Sequence, residues 1–172
     1  MKHVAIGRGT QNYTCGTNAT AAPVQVGALA TLYNASCVAA SYPDLLATLP
    51  KVALAFNLTD VNQKTLAASN LILSGHHYFT NATTPSFNLD TTAMTLGEGG
   101  FSKNNSVAAP AGSVVGHGNV GYGAVPWLKL LTRVGTTGSL EEVYRLNTAG
   151  GAAPTTCAGI TGTAFEIQYA AE

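Results

Sequence analysis

Nineteen glycines and seven prolines divide this 172-residue chain into short apolar runs, and that punctuation limits its fold more than any other feature. Several runs alternate with a period of two. Val24, Val26, Ala28, Ala30 and Leu32 fall on every second position, the spacing of a strand with one buried face. Val4–Ile6, carried on through Gln11, Tyr13 and Cys15, gives an opening strand. Leu71–Thr80, Phe87–Leu89, Val125–Leu131, Glu142–Leu146 and Ala164–Tyr169 read the same way, and Val52–Phe56 is a short apolar run that fits another strand. Gly97-Glu-Gly-Gly100, Gly116-His-Gly-Asn-Val-Gly121, Gly135-Thr-Thr-Gly138 and Ala149-Gly-Gly-Ala-Ala-Pro154 have the composition of turns and loops. Helix is a minor component: Ser41-Tyr-Pro-Asp44 opens one, with Leu45, Leu46 and Leu49 on one side and Pro50 as its stop, and Asp60–Ser69 suggests a weaker turn. Many short strands without strand–helix alternation predict one mainly β domain over residues 1–172. The expected form is an antiparallel β-sandwich or a partly open barrel with one or two short helices.

The chain is also short of charge. Eight basic and eight acidic side chains cancel, and only 9% of residues are charged, against about 25% in an ordinary domain. Such a chain has no field with which to attract nucleic acid or an anionic membrane surface, and no apolar run approaches the roughly 18 residues of a spanning helix. Solubility must come from elsewhere. Thr and Ser number 31, and six Asn-X-Ser/Thr triplets begin at Asn12, Asn18, Asn34, Asn57, Asn81 and Asn104. Twelve Asn and a Ser/Thr frequency of 31/172 would give about two by chance. The excess points to a secreted, extracellular glycoprotein whose N-linked glycans replace charge.

Cysteine usage fits an exported chain but leaves an odd thiol. Cys15, Cys37 and Cys157 match no zinc spacing and read as structural disulfide cysteines. Cys15 with Cys37 is the more local pairing, and spacing alone leaves the connectivity open. The ends read as a chain entered in mid-strand, with no charged start or apolar run of a signal peptide in Met1–Ile6 and a strand cut at Glu172. An N-terminal segment and the end of a C-terminal strand are therefore expected to lie outside it.

Candidate chemistry is sparse. Gly116–Gly121 is formally GxGxxG, with Glu141 about 20 residues on, as in a dinucleotide fingerprint. The pyrophosphate of such a site rests on a helix N-terminus, however, and Tyr122-Gly-Ala-Val-Pro126 cannot start one. No cofactor is expected. His76 and His77 are adjacent on a strand and so face opposite ways, which prevents joint ligation of a metal; no metal site is expected with His3 or His117. Asp44, Asp60, Asp90, Glu98, Glu141, Glu142 and Glu166 form no recognisable acid–base pair, and a GxSxG elbow is missing. No catalytic residue is assigned. Trp127, Tyr78, Phe79, Tyr122 and Tyr144 are candidates for a sugar-stacking platform.

Five blocks, Gly7–Cys15, Gly27–Cys37, Gly75–Phe79, Val125–Leu130 and Val143–Cys157, together resemble a family of secreted fungal proteins of unknown function with bacterial relatives, whose members are often labelled malate dehydrogenase. The resemblance implies a signal peptide and a further cysteine before residue 1, and an aromatic strand continuing past Glu172. The combined expectation is a non-catalytic glycoprotein that binds a carbohydrate or cell-wall component or associates with the cell surface. A polysaccharide-active or other extracellular enzyme and a self-associating structural protein are the alternatives.

Overall fold

The computed structural model describes residues 1–56, 63–67, 69–119 and 121–172. Its chain order is β1 (Ala5–Thr14), β2 (Val24–Asn34), α1 (Ser36–Ser41), α2 (Pro43–Leu54), β3 (Leu73–Asn81), β4 (Thr84–Asp90), β5 (Thr95–Val107), β6 (Trp127–Thr132), β7 (Glu142–Arg145), β8 (Ala149–Gly150) and β9 (Ala164–Ala171), with a 3-10 turn at His117–Asn119. The strands form one nine-stranded antiparallel sheet in the order β7-β6-β5-β4-β3-β2-β1-β9-β8. It is an open, curled half-barrel and not a two-sheet sandwich, so of the two expected forms the barrel is correct. The curl brings Leu146, just past β7, against Glu172, just past β9, through backbone hydrogen bonds of 2.8 and 3.0 Å.

Alternation sorts the strands into two faces. Ile6, Tyr33 and Ala170 face the helices and join Leu46, Ala53 and Leu54 in the main core. Gly7, Leu32 and Ala171, one residue away on the same strands, face the inside of the curl. The helical layer contains one correction. Pro50 does not end the helix, and Val52–Leu54 are its last turn rather than a strand. The missing Pro50 N–H costs one intrahelical bond, but burial of Pro50, Ala53 and Leu54 against the sheet outweighs that loss.

Arg8 secures this junction. Its guanidinium is fully buried and donates to Ala53 O and Phe56 O at 3.1 Å, to Gly9 O and Tyr169 O, and to the Gln168 amide oxygen. Those acceptors use all five of its N–H donors and place a cation at the negative end of the α2 dipole. Burial draws its pKa down to about 10, so it stays charged at neutral pH.

Gly97–Gly100 is a second correction, because it lies inside β5. Gly97 (φ 108°) and Gly138 (φ 66°) let the β6–β7 loop press its backbone onto the strand, where a Cβ on Gly97 would sit 2.5 Å from Thr137 O. Thr137 N donates to Glu98 O at 2.8 Å and seals the contact. Ala149–Gly150, expected as loop, pairs with β9 as a short edge strand. Asp60–Ser69 falls partly outside the described residues, and its Thr65 forms a bridge with Ile72.

Candidate functional site

The inner face of the half-barrel encloses a trough of about 750 Å³. Its wall is mainly hydrocarbon and aromatic because each strand turns its apolar alternate positions inward: Leu32 from β2, Phe79 from β3, Phe87 and Leu89 from β4, Leu128 and Leu130 from β6. The Met1–Ala5 segment runs along it, and Lys2 Nζ donates to Gly138 O in the β6–β7 loop. An aromatic row crosses β3 to β5. His77 stacks on Phe87 with centroids 4.3 Å apart, Phe79 meets the imidazole edge-on at 5.6 Å, and Phe87 meets Phe101 edge-on at 5.5 Å.

A few polar groups interrupt this wall. His77 is buried, and its Nδ1 lies 2.9 Å from Ser86 O. A carbonyl only accepts, so Nδ1 carries the proton and Nε2 keeps a free lone pair. Desolvation drives the His77 pKa down to about 4, opposed by the Ser86 hydrogen bond and reinforced by the charge of Arg145, so the ring is neutral at physiological pH. Arg145, on β7, also lines the trough, and its Nε and Nη2 donate to Pro126 O at 3.1 and 2.8 Å. Burial lowers its pKa, while Tyr169 and Tyr13 oppose the shift. The Tyr169 phenol is buried in the wall and the Tyr13 hydroxyl donates to Gly151 O at 2.7 Å; desolvation raises both pKa values.

Some of the residues singled out in the sequence gather here. His3, His77, Phe79 and Tyr144 do, with Glu141 and Glu142; His76 lies on the other face of β3. Trp127, with Tyr144 again, borders a separate shallow pocket of about 130 Å³, where Trp127 Nε1 is buried without a hydrogen-bond partner among the described residues. Tyr122 is exposed in a loop and Tyr78 is half-buried. No flat platform joins the five aromatics. Glu141 and Glu142 stand on the trough wall, with Glu142 held by Lys129 at 2.6 Å and by the Tyr144 hydroxyl at 2.7 Å. Asp44 lies in the first turn of α2, Asp90 accepts from Gly97 N at 2.7 Å, Glu98 is on β5 and Glu166 on β9; Asp60 is outside the described residues. After the 3-10 turn at His117–Asn119, Gly121–Gly123 leads into β6, a strand where a nucleotide site would need a helix.

Cys15 pairs with Cys157, not with Cys37. The end of β1 is brought beside the loop before β9, with Cα atoms 5.7 Å apart, while Cys37 is an exposed free thiol on α1. Among the sequons, Asn18, Asn81 and Asn104 are exposed, Asn12 and Asn34 are half-buried, and Asn57 lies outside the described residues. Asn18 and Asn81 each accept from the backbone N–H of the threonine two residues on, which fixes tight surface turns.

Sequence reasoning missed Arg145. Its signal was a charged residue on the same alternate positions as Val143, an apolar face that should have excluded it. A family model described as a protein of unknown function (DUF3455) matches residues 1–172. No curated protein and no solved structure matches the chain.

Proposed function

The chain belongs to the DUF3455 family of unknown function, and we propose that it is a secreted binding protein, without catalytic activity, that holds a small, mainly apolar molecule inside the half-barrel. The observation that carries this reading is the trough: about 750 Å³ lies within the roughly 300–1,000 Å³ of small-molecule sites, and an apolar wall with a few convergent polar groups is their usual make-up. Its polar groups favour holding over chemistry. The proton on His77 Nδ1 is committed to Ser86 O, and no nucleophilic side chain is bonded to that ring among the described residues. Secretion is supported by the Cys15–Cys157 bridge, stable in an oxidising compartment, and by exposed sequons at Asn18, Asn81 and Asn104.

The test uses Nile red, an uncharged dye that brightens in apolar surroundings. The folded chain should bind it saturably at one site, and Leu130→Trp, which fills the trough, should weaken that binding. A fluorescence rise that never saturates, or one that Leu130→Trp leaves intact, would dismiss the reading.

The carbohydrate reading keeps one supporting observation, the Trp127–Tyr144 pocket with its unpartnered indole N–H beside Asn105 and Ser106. Retention on insoluble cell-wall polysaccharide, lost in Trp127→Ala, is its test. Self-association through sheet edges is less favoured: the edge strands β7 and β8 have four and two residues, and short edges offer little to pair with.

A further inference from the structure

Of the three arginines, Arg133 lies exposed on the surface, and of the other two only Arg8 has its donors fully used. Arg8 is surrounded by neutral acceptors that take every N–H. Arg145 gives Nε and Nη2 to the single carbonyl of Pro126 and has no other hydrogen-bond partner among the described residues. It makes no ion pair there either; the one salt bridge among them joins Lys129 to Glu142. A guanidinium is a rigid fork matched to a carboxylate, and a cation held against apolar surroundings without a counter-charge is costly. Arg145 therefore presents unused donors and a charge without an ion pair among the described residues to a trough whose wall is mainly apolar.

We propose that the trough takes an amphipathic organic acid, its carboxylate on the Arg145 guanidinium and its hydrocarbon along Leu32, Phe87, Leu89, Leu128 and Leu130. This rests on the binding role proposed above and adds the ligand's chemical class. The complementarity is twofold: the acid neutralises the Arg145 cation, which makes no ion pair among the described residues, and its chain covers the wall that a free sugar or nucleotide would leave wet. His77, neutral and with Nε2 as an acceptor, adds no positive charge of its own beside the aromatic part of the wall.

The experiment compares decanoate with 1-decanol, matched in chain length, as competitors of bound Nile red near neutral pH. Decanoate should displace the dye at a concentration roughly ten- to a hundredfold lower than decanol, the ratio expected for a hydrogen bond to a charged group. Arg145→Met should remove that advantage, so that both displace at similar concentrations, and Arg145→Lys should restore part of it. Equal potency of acid and alcohol on the wild-type protein would overturn the inference while leaving the trough as a binding site. Failure of the dye itself to bind would instead remove the reading beneath it. If Arg145→Met does not fold, the wild-type acid-to-alcohol ratio still decides the matter.

Discussion

Substituting phenylalanine for His77 removes a titratable group from between Phe79 and Phe87 while keeping an aromatic ring in the row. The ring's folded-state pKa is about 4 against an ordinary 6.5, chiefly because burial disfavours the imidazolium. As pH falls below 6.5, the unfolded chain binds a proton there and the folded chain does not. Stability is therefore lost on acidification, beginning near pH 6.5 and continuing until the folded ring also titrates near 4. Integrating the two titrations from pH 7 to pH 5 gives a loss of about 2 kcal/mol from this one group. His77→Phe should lack that loss, although at pH 7 it forfeits the bond to Ser86 O at a cost of about 1 kcal/mol. The assay is urea unfolding of both proteins at pH 7 and pH 5, followed by circular dichroism. Contributions from His3 and the carboxylates cancel in the difference between differences. The wild type should lose about 2 kcal/mol more than the variant on acidification. Equal losses, or a His77 ring that titrates near 6.5 by NMR, would refute the reasoning.

Other outcomes follow from the same geometry. Replacing Cys15 and Cys157 by serine opens a loop spanning a sequence separation of 142 residues and should cost up to about 5 kcal/mol in urea unfolding, whereas Cys37→Ser should change stability by no more than about 0.5 kcal/mol. Leu54→Ala, under the sheet at 1% exposure, should destabilise by about 2–5 kcal/mol in the same measurement. Glycopeptide mapping of protein from a glycosylating host should find sugar at Asn18, Asn81 and Asn104 in preference to Asn12, which lies in a strand paired on both sides.

Strands were readable from the sequence where one face is buried and the other is not. In the second half of β1, Gln11 and Tyr13 are buried while Asn12 and Thr14 are only half-buried, and the alternation shows through. The signal failed where a residue's local preference was outweighed by its surroundings. Pro50 looks like a stop, yet its burial against the sheet keeps α2 running. Gly97-Glu-Gly-Gly looks like a turn, but its glycines make room for a loop that crosses the strand. Cys15 and Cys157 are adjacent only because β1 pairs with β9, a contact that spacing cannot display. The trough was hidden for a related reason: its wall draws a few residues from each of most of the strands, and only the curl of the sheet gathers them.

The central claim, that the inside of the half-barrel is a ligand site, is tested most directly by isotope-filtered NMR on leucine-methyl-labelled protein titrated with 1-decanol. The expected result is intermolecular contacts from the alkyl chain to Leu32, Leu89, Leu128 and Leu130, saturating at one ligand per chain. Contacts confined to Leu46, Leu54 and Leu66 beneath the helices, or no intermolecular contacts at all, would contradict it.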